Sequence, residues 1–384
     1  MTGGGSGGHI TPILAVAHEL KRLDPSLDIV YIGQKGDGLA DIPAADRAIS
    51  SVYSVRAGKF RRYHGEGIRQ IFDLPTLLKN LRDIGYVLIG LRQSYRILKR
   101  LQPDIIFVKG GFVGVPVGLA AARLKIPFIT HDSDAIPGLA NRIISRWARL
   151  HTVALAPKLY PYPASKTESV GIPLVGEFEP VTRQLMQHYR KQIAVPEEAR
   201  LLFVIGGGLG AQRINKAIAQ ITPHLLAEFP NLYIVHGVGR ANELSLQAIY
   251  TESLTPGVRK RVIVKGYIED LYKYSGAADV VVTRAGATNL AEFSVQGKAC
   301  IVVPSPFLTG GHQLKNAQFL EDSGAAVVVN EVDVQADPNF LARAISKLLK
   351  NPKQAEAMGH KLHQTAHTDA ATKLARILLK EAKQ

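Results

Sequence analysis

Cysteine is almost absent: the chain holds one, Cys300, among 384 residues. A lone thiol excludes an internal disulfide framework and suits a reducing compartment. No apolar run reaches the roughly 18–20 residues that a bilayer span needs. No basic segment leads into an apolar one at the start, so no secretory signal is evident, and the chain is expected to be soluble or peripheral. Acidic residues are in deficit, 32 against 47 lysines and arginines, for a net charge of +15. Such an excess favours nucleic acids, anionic membranes or acidic substrates. Zinc-finger spacing, an RNA-binding aromatic signature and a basic zipper are all missing, which disfavours nucleic acid. The plainer reading of the charge is solubility.

What is present is an alternation. Apolar runs at 29–32, 105–108, 127–130, 201–205, 232–235, 262–264, 280–282 and 326–329 read as strands. Near-continuous apolar runs of this length fit parallel strands buried on both faces. Helical stretches at 116–124, 137–149, 212–228, 288–296, 312–323 and 340–349 separate them. The predicted fold is α/β, two Rossmann-like domains with parallel sheets facing across a cleft, each with its strand ends and helix starts toward the ligand. A proline-rich segment at 157–180 marks the boundary, giving domains 1–165 and 166–369. A last helix at 370–384 is positioned to return to the first domain.

Three glycine turns punctuate this pattern: Gly3-Gly4-Gly5-Ser6-Gly7-Gly8-His9, Lys109-Gly110-Gly111-Phe112 and Gly206-Gly207-Gly208-Leu209-Gly210-Ala211. Glycine lets a backbone approach a phosphate closely. The helix start behind such a turn favours an anion by about 0.3–1 kcal/mol. The first turn should follow a buried strand, yet only Met1 and Thr2 precede it. The first sheet is therefore expected to lack an inner strand.

The opening turn, followed by Pro12 and Leu14-Ala15-Val16-Ala17-His18-Glu19-Leu20, resembles that of the MurG glycosyltransferases. The likeness continues at Gly110-Gly111-Phe112-Val113-Gly114-Val115-Pro116 and at 206–211 with Asn215. It extends through Arg284-Ala285-Gly286-Ala287-Thr288-Asn289-Leu290-Ala291-Glu292 and ends at His312-Gln313 with Asn316-Ala317. Five pieces in family order cover almost the whole chain. The resemblance implies a GT-B fold and an inverting transfer of N-acetylglucosamine from UDP-N-acetylglucosamine. The acceptor would be a lipid-linked N-acetylmuramyl-pentapeptide, the product a β-1,4 linkage, and no cofactor or metal would be needed.

Carried onto this sequence, the resemblance gives donor contacts at Ser6, Gly7, Gly8, Asp134, Gly208, Ile268, Ala287, Thr288, Asn289, Leu290, Ala291, Glu292 and Gln313. Acceptor contacts fall at Gly110, Gly111, Phe112 and His131. Glu292, one turn into its helix, would accept both ribose hydroxyls; the plainer reading is a solvated helix residue. Ile268 would hold uracil through its backbone, or simply end a strand. Gln313 would touch the donor sugar, or cap its helix. His9 is the candidate base for the acceptor hydroxyl, its neutral form favoured by the helix end beside it. The alternative is that His9 only hydrogen-bonds its loop or an acceptor phosphate.

Three positions depart from the family pattern. Asp134 stands where the family has asparagine, Val175 where it usually has arginine, and Gly208 where it has serine. Asp132-Ser133-Asp134 imitates the metal-binding D-x-D of another fold, but it lies in the place of the family's His-Glu-Gln-Asn. These departures keep other functions in view: a transferase for another lipid acceptor, a UDP-N-acetylglucosamine 2-epimerase, or a non-catalytic nucleotide-sugar-binding protein.

Between Arg56 and Arg100 eleven cations meet three acids: Arg56, Lys59, Arg61, Arg62, Arg69, Lys79, Arg82, Arg92, Arg96, Lys99 and Arg100 against Glu66, Asp73 and Asp83. Apolar residues such as Ile71, Leu78, Leu81, Ile84, Leu88 and Leu91 interleave them. This reads as a basic amphipathic surface for the anionic cytoplasmic leaflet, each cation near it contributing about 1 kcal/mol. The alternative has the apolar residues covering the first sheet.

Overall fold

The computed structural model describes residues 1–4, 7–37, 39–58, 74–207, 210–306 and 311–383, with backbone alone at 7 and 74–80. In chain order the first elements are α1 (Gly7–Leu23), β1 (Val30–Gln34), α2 (Asp41–Ala45), β2 (Ser51–Val55) and α3 (Leu74–Leu101). Next come β3 (Ile106–Val108), α4 (Gly114–Leu124), β4 (Phe128–Asp132), α5 (Leu139–Ile144), β5 (Leu150–Val153) and β6 (Thr167–Ser169). The chain continues with α6 (Arg183–Gln192), β7 (Arg200–Ile205), α7 (Gln212–Glu228), β8 (Leu232–Gly237), α8 (Glu243–Ser253), α9 (Pro256–Arg259) and β9 (Val262–Lys265). Then follow α10 (Leu271–Ala277), β10 (Val280–Thr283), α11 (Ala287–Gln296), β11 (Ala299–Val302), α12 (His312–Asp322) and β12 (Val327–Val328). The series closes with α13 (Glu331–Ala336), α14 (Asn339–Lys350), α15 (Pro352–His363) and α16 (Ala370–Ala382).

These elements form two compact units. Unit one comprises Met1–Gly176, the described residues 311–312 and His367–Gln384; unit two comprises Glu177–Pro306 and Gln313–Ala366. The division falls after Gly176 rather than residue 165, because β6 pairs in parallel with β5 and extends the first sheet.

In unit one β1 pairs with β2, and β3, β4, β5 and β6 follow in order. The inner position is not empty, which corrects the expectation from sequence. Thr2 bridges in parallel to both Ile32 and Val108. Its amide donates to the Phe107 carbonyl at 2.8 Å and its carbonyl accepts from Lys109 at 2.9 Å. Two residues thus join two strand groups into one sheet, and the first glycine turn leaves from the centre of that sheet. Apolar runs are continuous here because both faces are covered. Ile106, Val108 and Phe128 join one core cluster, with Val117 and Leu98 from α4 and α3. Phe107 and Ile129 join the other, with Ile13 and Val16 from α1 and Leu374 and Leu378 from α16. Full burial of each such side chain stabilises the fold by about 1.5–3 kcal/mol. The last helix is fixed to α1 by this packing and by Thr372, whose hydroxyl donates to the Glu19 carboxylate at 2.7 Å.

Unit two has a six-stranded parallel sheet in the order β12-β11-β10-β7-β8-β9. Alternation again explains the sequence: Leu202 and Val204 face one core cluster, Leu201, Phe203 and Ile205 the other. The chain starts at β7, builds outward through β8 and β9, then returns to β10 on the other side. The switch point therefore lies between β7 and β10, where open α/β sheets receive their ligands.

Differences from the sequence reading are local. The stretch 137–149 is α5 followed by one 3-10 turn at Ser145–Trp147. Strands β2, β5, β6 and β11, and helices α2, α6, α8, α9, α10, α13 and α15, are additional to those read from the sequence.

Candidate functional site

Two turns meet at the switch point of unit two. The first leaves β7 through 206–211, of which Gly208 and Leu209 lie outside the described residues. Gly210 has φ +77°, and a Cβ there would collide with the Val238 carbonyl. Behind it Asn215, on α7, donates to that same carbonyl at 2.8 Å and contacts His236 at 3.2 Å. The second turn leaves β10 through Arg284-Ala285-Gly286 and opens α11. The N-cap, Gly286, contributes no side-chain hydrogen bond, and no acidic residue lies in the first turn. Ala287, Thr288, Asn289, Leu290 and Ala291 thus form a helix start whose positive end is offset by no acidic residue of the first turn, a polarity that favours an anion.

Glu292 follows on the same helix. It is 7% exposed, and its Oε2 is buried with no hydrogen-bond partner. Burial pushes its carboxyl up to about 8. A buried acceptor without a donor costs about 1–3 kcal/mol. Gln313 is also buried, and its Oε1 accepts from the Ser305 amide at 2.9 Å. Asn316 donates to the Ala285 carbonyl at 3.1 Å. The start of α12 therefore holds the turn that precedes α11. Ile268, half-buried, touches the end of β8, with Cδ1 3.0 Å from where a Gly237 Cβ would stand.

In unit one the switch point lies between Thr2 and β3. Ser6 lies outside the described residues; Gly7 and Gly8 begin α1. The first loop is held by Tyr31, whose hydroxyl donates to the Gly3 carbonyl at 2.5 Å. Gly110 and Gly111 have φ of +105° and +75°. A Cβ on Gly111 would sit 2.6 Å from the Gly4 carbonyl oxygen, so the two glycine turns lie backbone to backbone. Phe112, beside them, is half-buried and packs on the core shared by α3 and α4.

Titratable groups gather around these turns. His9 is pushed down to about 4, first by burial and then by the nearby Lys109 charge, with Asp134 and the Gly4 backbone acting the other way. Lys109 is 3% exposed and donates to Ser133 Oγ at 2.7 Å. Burial lowers it to about 8 against the pull of Asp134 and Asp132. His131 is fully buried: Nδ1 meets Thr152 Oγ1 at 3.1 Å, and Nε2 lies 3.5 Å from Ser133 Oγ. Burial and Lys109 keep it neutral, well below the usual imidazole range. Asp132 accepts from Tyr162 at 2.7 Å and from the Gly138 amide at 3.0 Å. These bonds make it an internal brace of the 132–138 loop rather than a ligand-facing acid. Asp134 is half-buried, and its carbonyl accepts from Tyr160 at 3.0 Å. Among the described residues no group of three or more His, Cys, Asp or Glu side chains is arranged to hold a metal ion.

Unit one thus brings together His9, Gly110, Gly111, His131 and Asp134. In unit two Leu290 and Ile268 meet in one core cluster, and α12, which begins with His312 and Gln313, is tied to the turn before Ala287 through Asn316. Sequence reasoning did not single out Lys109 as a site residue; its signal was a lone lysine ending an apolar strand at a glycine turn.

Two parallel α/β units, each with glycine-bounded turns at its switch point, are the architecture of the GT-B fold. Residues 1–152 match the glycosyltransferase family 28 N-terminal domain, and residues 201–374 match the glycosyltransferase family 28 C-terminal domain. The chain is 32% identical over 380 residues to a protein of Natranaerobius thermophilus, covering 98% of each. That protein is named UDP-N-acetylglucosamine--N-acetylmuramyl-(pentapeptide) pyrophosphoryl-undecaprenol N-acetylglucosamine transferase. Among solved structures, Acinetobacter baumannii MurG superimposes with a TM-score of 0.70 at 26% identity, over 99% of this chain and 98% of that one. The Neisseria meningitidis UDP-GlcNAc 2-epimerase, at 14% identity and a TM-score of 0.63 over 98% of each chain, shares the fold alone. The chain belongs to the MurG family of glycosyltransferases.

Proposed function

We infer that the chain transfers N-acetylglucosamine from UDP-N-acetylglucosamine to a lipid-linked N-acetylmuramyl-pentapeptide, a step of peptidoglycan synthesis. The observation that carries this reading is Glu292: a buried carboxylate oxygen with no partner, one turn into a helix that opens toward the switch point. Two ribose hydroxyls donating into it supply the missing hydrogen bonds, each worth about 1.5–3 kcal/mol to a charged acceptor. The first turn of α11, from Ala287 to Ala291, receives the diphosphate, and the backbone at Ile268 receives uracil. Gln313, already holding Ser305 through its oxygen, keeps its amide nitrogen for the donor sugar. Ser6, Gly7, Gly8, Asp134 and Gly208 complete the donor contacts.

Unit one handles the acceptor. Gly110, Gly111 and Phe112 line it, and His131 acts through Ser133. His9, held neutral, takes the proton of the attacking sugar hydroxyl. The new C1–O bond forms as the C1–O bond to UDP breaks, with inversion, and UDP departs carrying the electron pair. No resident cofactor or metal enters the step.

A lipid-linked acceptor calls for a peripheral position on the cytoplasmic face of the membrane. Among the described residues no helix is long and apolar enough to cross one. The outer face of α3 supports attachment instead: Leu81, Ile84, Leu88 and Ile89 are 65%, 44%, 64% and 43% exposed, with Arg82, Arg92 and Arg96 exposed among them. The inner face, through Leu98 and Leu91, packs on the sheet, so both readings of this segment apply to one helix. Lys59, Arg61, Arg62 and Arg69 lie outside the described residues.

The test is a transfer assay with labelled UDP-N-acetylglucosamine and the lipid-linked muramyl acceptor. Product is expected from the native chain. Release of the manno epimer from donor alone, with no transfer product, would replace this reading with an epimerase.

A further inference from the structure

A buried carboxylate outside every motif joins the two turns of unit two. Glu331 begins α13, and its side chain is 1% exposed. Its Oε1 accepts from Arg284 Nη2, and its Oε2 accepts from Arg213 Nη1 at 3.2 Å. Arg284 belongs to the turn between β10 and α11, and it also donates to the Val303 carbonyl at 3.1 Å. Arg213 is the second residue of α7, directly behind the 206–211 turn. Below this triad β7 and β10 are neighbours in the sheet, with Thr283 opposite Ile205. The ladder fixes the strands only to that point. Beyond it the two strands lead into turns, and Glu331 ties Arg284 of one to Arg213 behind the other. Val334, buried in the core one turn on, seats α13.

The charges reinforce the geometry. Two guanidiniums share one carboxylate, leaving a surplus positive charge beside the positive end of α11. Charge-assisted hydrogen bonds of this kind are short, directional and about twice as strong as neutral ones. A buried carboxylate confers little net stability, since desolvation offsets its pairing. Its effect therefore lies in where it holds its partners.

We propose that Glu331 is a positioning residue of the donor site: its carboxylate clamps Arg284 and Arg213 and so holds the turn that opens the diphosphate-receiving helix α11 in register with the start of α7. The proposal rests on the reading of unit two as the donor site. It concerns affinity for the nucleotide diphosphate, with the acceptor unaffected.

The experiment is UDP titration by calorimetry on the full chain, with melting temperature and steady-state kinetics in parallel. Glu331→Gln keeps the shape and removes the charge. Arg213→Met leaves the buried Glu331–Arg284 pair intact, so it keeps the proposal testable if the first variant is unstable. Each is expected to weaken UDP binding and raise the donor KM by about tenfold, the scale of one charge-assisted contact. The acceptor KM should not move, and Arg213→Met should melt like the native chain. Because one clamp is broken in either case, the double variant should bind no more weakly than the weaker single one. UDP affinity unchanged in both single variants would overturn the proposal, as would losses that multiply in the double variant. A native chain that binds no UDP would remove the donor-site reading itself, a result distinct from either.

Discussion

The strand ends of the two units differ in what they keep out of water. Unit one crowds its switch point with ionisable side chains held away from their ordinary behaviour: His9 down to about 4, Lys109 down to about 8, His131 also lowered, and Asp132 raised by burial. Near its turns unit two has fewer such groups: Glu292, raised to about 8, and, behind the 206–211 turn, His236, lowered to about 3 by burial and bonded to Asn215. Arg213 and Arg284, beside those turns, are closed into the Glu331 clamp. Perturbed groups in number suit proton transfer, whereas a helix start, backbone amides and a single carboxylate suit gripping a nucleotide. On the proposed function, one fold used twice would serve chemistry in one unit and binding in the other.

The most severe way to break that comparison is His9→Ala. It should lower kcat by about 10²–10⁴-fold, the range for a lost general base, and leave UDP affinity untouched. Steady-state rates beside UDP titration check it; a loss of UDP affinity would move His9 to the binding side. Glu292→Ala should do the reverse, weakening UDP binding by about 10–100-fold through lost charged hydrogen bonds. Unchanged donor affinity in that variant would remove the ribose role.

A test of lipid attachment sharpens the contrast, because the exposed apolar and basic stripe of α3 lies on unit one. Leu81→Ser with Leu88→Ser should lower partition onto anionic vesicles by about tenfold, given the apolar area withdrawn from the bilayer. Turnover of a short-chain, water-soluble acceptor should be unaffected. Equal vesicle binding by the double variant would return α3 to a purely structural role.

A smaller effect concerns protons. Lys109 is the second cause of the low His9 value, after burial. Lys109→Met removes a positive neighbour, so the His9 imidazole should titrate at higher pH, read directly by NMR. The acid limb of the pH–rate profile should move the same way. The linkage to stability has a definite sign. A histidine depressed in the folded state costs nothing above its unfolded value near 6.5, and the fold loses stability as pH falls from there toward 4. Lys109→Met should therefore soften the acid-side fall in melting temperature. No movement of the His9 titration would show that burial alone sets it.

Legibility in the sequence followed burial. Strand β7 and helix α7 (Gln212–Glu228) are readable because both faces of the strand and one face of the helix meet apolar cores. Strand β5 is hidden because His151 and Thr152 are polar, although buried; the neighbouring Thr130 hydroxyl satisfies the first at 2.7 Å and its carbonyl the second at 2.9 Å. Strand β6 is hidden because it is an edge strand, half-exposed and without an apolar residue. The inner strand of unit one escapes any periodicity, since Thr2 alone bridges both neighbours. At the sites, the glycine turns and the helix address of Glu292 can be read in advance; the emptiness around its Oε2 cannot. Lys109 and Glu331 stayed invisible because their partners, Ser133 and Arg284, lie 24 and 47 residues away.

The comparison rests most heavily on Glu292 as the ribose acceptor, and its proton provides the direct test. With a value near 8 in the free protein, the carboxyl is mostly protonated at pH 7. Accepting two hydroxyls requires the ionised form, so UDP binding should expel that proton. Calorimetric UDP titrations at pH 7 in buffers of different ionisation enthalpy should show release approaching one proton for the native chain and none for Glu292→Gln. Equal proton release from both, or none from either, would contradict the account.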